Sequence, residues 1–420
     1  MTPRERVMTT LNFKPPDRLA KDLGGMRSTG ISAFAYPKLV EALGLPTRRP
    51  KIHDVWQMLA LPDMDVLDAL GCDVVAIDGN VTNAFEELDK WQEYDFGGRL
   101  PALVQDAGVF IEDDDGTISC EWEGRKLRMP GQSFVFDEEH GGQPIDYSGE
   151  IPKDDLDVVR AQLDEQQPTD EQIDKFAAYC RKVRESTQRA VFLAKWVSND
   201  IGIIWRGGIG IFPVLCITQP EYVAALHKLV TDYAVERIRR LLPAIKDYVD
   251  IVMMSADDWG TQNSLIASPD VFRTLFLPYM RKVNDECRRI APGVKIFMHN
   301  CGAIYPLIDL IVEAGFDVLN PVQWSAGRHS FRQWKEKCRG RIALWGGGVN
   351  AQATLPMGTV EEVRAEVQEV VICLGEGGGY VFNSIHNITA EIPPEKIITM
   401  YEAAAEAGQS SFPDGCVDCR

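Results

Sequence analysis

"VKIFMHNCGAIYPLIDLIVEAGFDVLN", residues 294–320, holds a short apolar run, a polar junction, an amphipathic run ending on Gly315 and a second apolar run. Short, continuous apolar runs mark parallel strands covered on both faces. The glycine is the expected stop of the helix between them. The stretch therefore reads as strand, helix and strand, which joins two parallel strands by a right-handed crossover. At the junction, "FMHNCGAI" (297–304) sets His299 and Cys301 two positions apart where the first strand ends.

The same alternation runs outward from this unit. Further strand runs are "RLAKDLG" (18–24), "DVVAID" (73–78), "RAVFLAKW" (189–196), "VDIVMM" (249–254), "RIALW" (341–345) and "GYVFN" (379–383). The helices between them carry clear signals. Ser268 is an N-cap with Pro269 at the first helical position, and Pro278 predicts a kink further along. Thr359 and Glu362 form a capping box. About eight such units predict an α/β fold, a closed (β/α)8 TIM barrel rather than an open sheet. Residues 100–150 break the pattern. "GVFIEDDDGTISCEWEGRKLRMPG" (108–131) reads as a β-hairpin or meander around the Asp115-Gly116 turn, an insertion on the barrel rim. Residues 1–410 are expected to form one domain, with 411–420 a polar tail.

Composition narrows the class. The chain has 420 residues, 45% hydrophobic and 25% charged, with a net charge of −18. A surface this acidic repels nucleic acid and anionic lipid. No stretch approaches the ~18 apolar residues that span a bilayer, and "MTPRERVMTTLNFKPPDRLA" has no apolar signal segment. The expectation is a cytoplasmic protein. Ten cysteines are scattered along the chain, as reduced core thiols are. The C-x-x-C of Cys416 and Cys419 lies on the polar tail.

In a barrel of this kind, function gathers at the C-terminal ends of the strands. Those positions are Asp22, Asp78, 196–199, Asp257 and Asp258, His299 to Cys301, Asn320 to Gln323, Trp345 to Gly348, and Asn383 to His386. They are polar although the strands are apolar. Residues 299 and 301 project to the same side, so imidazole and thiolate can share one ion. Zinc suits such an N/S set, needing a third protein ligand and one open position. His386, after the last strand, is the candidate third ligand, with Asp257 and Asp258 as the alternatives. Adjacent residues of a strand face opposite ways, so one of the two aspartates enters the pocket, and Asp258 is favoured for acid–base work. Arg27 is a candidate for an anionic substrate group. Gln262, Gln323 and Asn383 are candidate substrate contacts. The glycines of "WGGGVN" (345–350) would admit substrate near the backbone, and those of "GEGGGY" (375–380) suit tight packing.

The chain resembles the uroporphyrinogen decarboxylase superfamily, and within it the cobamide-dependent methyltransferases. The resemblance rests on "TPRERVMTTLNFKPPDR", "DDWGTQNSLIASPDVFRTLFLPYMRKV", "FMHNCGAIYPLIDLIVEAGFDVLNPVQ" and "IHNITAEIPPEKIITMYEA". It implies a (β/α)8 barrel and, in the methyltransferase branch, zinc held by a His-x-Cys motif and a later cysteine. His299 and Cys301 match the motif; His386 stands at the later cysteine's place, which lowers the negative charge of the site. The decarboxylase branch uses N-terminal arginines, of which Arg27 is a thin match. No Asp-x-His-x-x-Gly cobalamin motif occurs in the chain. The resemblance thus implies methyl transfer between a small methylated substrate and a separate corrinoid protein, with zinc assistance. A homodimer is compatible with the sequence. The alternatives are a cofactor-free decarboxylase and a non-catalytic docking partner of a corrinoid protein.

Overall fold

The computed structural model describes residues 1–77, 90–122, 125–138, 151, 153–194, 197–198, 201–203 and 208–411. Eight parallel strands form one sheet: β1 (Ala20–Lys21), β2 (Val74–Ile77), β3 (Ala190–Leu193), β4 (Ile251–Asp257), β5 (Lys295–Asn300), β6 (Val318–Asn320), β7 (Ala343–Trp345) and β8 (Tyr380–Phe382). Their order is β1-β8-β7-β6-β5-β4-β3-β2, so every neighbour in sequence is a neighbour in space and β1 pairs with β8. β1 and β2 meet through Asp73 N–H on the Lys21 carbonyl (2.7 Å) and Lys21 N–H on the Asp73 carboxylate (3.1 Å). This is the expected (β/α)8 barrel, nearly closed.

Alternation along the strands decides what fills it. Ala20, Val74, Phe192, Ile251, Phe297, Val318, Trp345 and Val381 pack together inside the ring. Phe192, Phe297 and Trp345 form the aromatic part, with ring centroids 4.7 to 5.9 Å apart. The helix Pro3–Leu11, started by a Thr2–Glu5 capping box, adds Val7 and Leu11 to the same cluster. Two residues beyond Ala20, Phe297, Val318 and Val381 come Asp22, His299, Asn320 and Asn383, which continue the inward series to the mouth.

β4 departs from simple alternation. Its register to β5 runs Met253↔Phe297 and then Ser255↔Met298, a bulge at Met254. One extra residue exchanges the inner and outer faces of everything after it. Ala256 therefore pairs with His299, and Asp258, not Asp257, continues the inward series.

The helical signals are found where the sequence puts them. Ser268 caps the helix beginning at Pro269, a π-helical turn at Phe272–Phe276 precedes Pro278, and Thr359 and Glu362 form the capping box. The hairpin also forms: Phe110–Glu112 pairs with Ile118–Trp122 around Gly116, whose φ is +78°. The added sheet structure is larger than the sequence predicts. A second sheet of Ile31–Ser32, Leu59–Leu61, Lys51–Asp54, Pro101–Val104 and Gln92–Asp95 precedes the hairpin and starts well before residue 100. Its strands are two to four residues long, too short to show a period. Among the described residues no single helix is long and apolar enough to cross a membrane. The described cysteines are free, and all but Cys301 and Cys373 are buried. Asp78, Trp196, Asn199, His140, Cys416 and Cys419 lie outside the described residues.

Candidate metal centre

His299, the last residue but one of β5, has 6% of its surface exposed. Its Nε2 lies 3.3 Å from Cys301 Sγ and 3.3 Å from Ser28 Oγ, and its Nδ1 lies 2.6 Å from Asn320 Oδ1. The His386 ring is 5.8 Å from the His299 ring, centroid to centroid. One ligand atom from each of His299, Cys301 and His386 falls within 4.8 Å of the others, the one such group found among the described residues. On a tetrahedral zinc, N at about 2.0 Å and S at about 2.3 Å stand about 3.5 Å apart. The 3.3 Å between Nε2 and Sγ is close to that edge. The donor set and spacing fit zinc.

Electrostatics point the same way. Burial, and then the neighbouring Asp258 carboxylate, hold the Cys301 thiol well above its ordinary range. A thiolate there needs a cation beside it. Burial lowers the His299 imidazole, partly opposed by Asp258 and Asn320. Burial and the His299 ring push His386 down to about 4. Both imidazoles are thus neutral near pH 7, the form in which histidine binds metal.

The loops that carry these groups are locked to one another. Cys301 N–H donates to the Asp257 carbonyl (3.2 Å), and Gly260 N–H donates to the Cys301 carbonyl (3.1 Å). A Cβ on Gly302 would fall on the Gly260 carbonyl, and Gly302 has φ +91°. Gly302→Ala should therefore cost roughly 2–4 kcal/mol; the midpoint of urea unfolding checks it, and an unshifted midpoint contradicts the crossing.

The other sequence-predicted residues fall in different places. Asp258 faces the cluster, its Oδ1 accepting from Cys301 N–H at 3.3 Å. The Asp257 carboxylate accepts from Ile203 N–H at 2.5 Å, on the face opposite Asp258. Asn383 is fully buried, and its Nδ2 donates to the Asp22 (2.9 Å) and Thr29 (3.3 Å) carbonyls, lacing β8 to β1. Gln262 donates to the Ser325 carbonyl (2.7 Å), and Gln323 accepts from Gly302 N–H (2.7 Å), so both join rim loops. Arg27 pairs with the buried Asp54 at 3.0 Å. In "WGGGVN" a Cβ on Gly347 or Gly348 would strike Val322 or Phe382, so packing, not substrate access, requires them. Gly378 and Gly379 pack on Lys14 and Phe13, as expected of the second glycine run.

Ser28 was missed in the sequence, because nothing in "MRST" marks a contact to a residue 271 positions away. His329 stacks on Tyr305 at 3.8 Å, away from the cluster. His227 is buried in the helix Pro220–Ile245 among Phe212, Phe276 and Tyr279, its Nδ1 2.6 Å from the Leu275 carbonyl. Burial pushes it down to about 4. Its folded pKa lies below the unfolded ~6.5, so it stabilises the fold fully above 6.5 and progressively less as pH falls toward 4. At pH 5 the loss is about 2 kcal/mol relative to pH 7. His227→Phe should flatten the acid limb of unfolding free energy against pH; parallel curves for variant and parent would contradict this.

Comparison with known proteins fits this architecture. The uroporphyrinogen decarboxylase (URO-D) family model matches residues 211–407, from within the helix Gly208–Thr218 into the last helix, Pro394–Ser411. Uroporphyrinogen decarboxylase of Legionella pneumophila is 30% identical over 194 residues, 46% of this chain and 50% of that protein. The Methylococcus capsulatus enzyme is 29% identical over 195 residues, 46% of this chain and 51% of that one. The chain spans about half the length of the curated relatives it matches. A solved methyltransferase from Methanosarcina mazei shares the fold over 97% of this chain and 99% of its own, with a TM-score of 0.53 and 16% identity. The C-terminal half of the chain thus resembles the uroporphyrinogen decarboxylase family in sequence, and the barrel as a whole shares its fold with the Methanosarcina protein.

Proposed function

We propose that this protein is a methyltransferase that moves a methyl group between a small methylated substrate, an O-, N- or S-methyl compound, and the cobalt of a separate corrinoid protein. His299, Cys301 and His386 would hold zinc, with Asp258 beside them. The observation that carries this reading is the convergence of His299, Cys301 and His386 at the mouth of a barrel whose sequence resembles the uroporphyrinogen decarboxylase family. It agrees with the His-x-Cys pattern that separates the methyltransferase branch from the decarboxylases.

Zinc held there would polarise the substrate's heteroatom, as leaving group or as nucleophile. The chain's own residues do the rest. Asp258, inward-facing and next to Cys301, holds or delivers the proton of that heteroatom. Phe192, Phe297 and Trp345 pack as an aromatic floor beneath His299, so substrate would meet the cluster from the rim. The crossed loops at Gly260 and Gly302 fix Cys301 relative to Asp258, which keeps the methyl carbon aligned for in-line transfer.

Elemental analysis of purified protein should give about one zinc per chain, the stoichiometry of a single three-ligand site. Methyl transfer, followed by the absorbance of a corrinoid protein from a neighbouring gene, should stop when a chelator removes the metal and resume when zinc returns. Protein that is active with no metal would end the zinc mechanism. A second reading is supported by the relatives themselves, which are named uroporphyrinogen decarboxylases. Release of carbon dioxide from uroporphyrinogen, unchanged in Cys301→Ala, would favour it. Metal binding with no turnover on either substrate would favour a docking role.

A further inference from the structure

We propose that Asn320 is a positioning residue that fixes His299 in the Nδ1–H tautomer and so aims the Nε2 lone pair at the metal position. The purpose of this arrangement rests on the zinc reading above; its geometry does not.

The argument is one of donors and acceptors. Asn320 is fully buried at the end of β6, where it pairs in register with His299. One atom of its amide lies 3.0 Å from the Trp345 carbonyl oxygen. A carbonyl only accepts, so that atom is Nδ2. The other amide atom, 2.6 Å from His299 Nδ1, is then Oδ1, which also only accepts. His299 must supply the proton at Nδ1. In a neutral imidazole Nε2 is then unprotonated, and Nε2 is the atom that faces Cys301 Sγ and Ser28 Oγ.

The amide itself cannot turn over. Its Nδ2 partner belongs to Trp345, whose indole N–H donates to the buried Asp22 carboxylate at 2.9 Å. Asp22 also accepts from Gly25 N–H at 2.8 Å. A side chain at residue 346 would press on Asn320 Nδ2, and that residue is glycine with φ +81°. The orientation thus passes from Asp22 through Trp345 and Asn320 to His299, across four strand ends. Metal-binding histidines commonly place their second nitrogen against a carboxylate or carbonyl. An amide gives the same orientation without a second negative charge beside Asp258.

The test reads the tautomer directly. Protein labelled with ¹⁵N-histidine and stripped of metal is examined by long-range ¹H–¹⁵N correlation at about pH 8, above the ordinary imidazole range. The His299 signals are identified by their loss in His299→Gln. The Nδ1–H pattern is expected; an Nε2–H pattern overturns the proposal. In Asn320→Leu both tautomers should appear, and zinc affinity, measured against a chromophoric chelator, should fall roughly 10–100-fold. Asn320→Asp, which keeps an acceptor at Nδ1, should recover the Nδ1–H pattern. A single Nδ1–H tautomer and unchanged affinity in Asn320→Leu would also overturn it. Should Asn320→Leu not fold, the parent spectrum still decides. Failure of methyl transfer with the expected tautomer speaks against the proposed function and leaves this inference standing.

Discussion

Cys301→Ala is expected to strip the protein of zinc and abolish methyl transfer while the barrel stays folded. Three ligands with one open position leave no reserve, so losing one should weaken zinc by more than roughly 100-fold, the upper end for losing only a supporting hydrogen bond. Cys301 is also the sole thiolate of the set, hence the ligand whose charge offsets the ion. The fold has little stake in this side chain. Cys301 is partly exposed at the rim, while the core is held by the apolar side chains of the strands and helices. Metal content by emission spectroscopy and the thermal midpoint of the metal-free protein give the two halves of the result. His386→Ala should behave the same way. If His386→Ala keeps full zinc while Asp258→Ala loses it, the third ligand is a carboxylate. If Cys301→Ala keeps zinc and rate, the cluster is not the metal site.

The barrel was legible because buried parallel strands leave a plain trace. Each of the eight apolar runs read from the sequence overlaps a barrel strand, and polar residues follow each one. His299 and Cys301 were legible for the same reason: two ligand types two apart at a strand end share a face. What was hidden depends on contacts distant in sequence. The second sheet pairs Lys51 with Leu103, and strands of two to four residues hold no period that could announce it. Asn383 looked like a substrate contact because it is polar at a strand end. Its bonds to the carbonyls of Asp22 and Thr29 are revealed by no local pattern. The sequence around Arg27 likewise gives no sign that Asp54, 27 positions on, lies against its Nε.

Asp258→Asn is expected to lower the rate of methyl transfer by roughly 10²–10⁴-fold, the usual scale for removing a positioned acid or base, while zinc stays bound. Asp257→Asn should leave the rate nearly unchanged. The contrast follows from the bulge. Were β4 regular, Met253, Ser255 and Asp257 would face inward and Asp258 would lie outside. The extra residue at Met254 shifts the register, so that Ala256 pairs with His299 and the next inward residue is Asp258. Asp257 then turns to the loop at 201–203, where its carboxylate accepts from Ile203 N–H, a bond that the amide oxygen of Asn can keep. No feature of "IVMMSADDWG" marks that extra residue, so choosing between two adjacent carboxylates needs the register of the strand. Single-turnover rates with zinc content measured on the same samples test the assignment. A large rate loss in Asp257→Asn with none in Asp258→Asn would mean that β4 runs without the bulge in the working protein, and the inward series would have to be redrawn from Met253 onward.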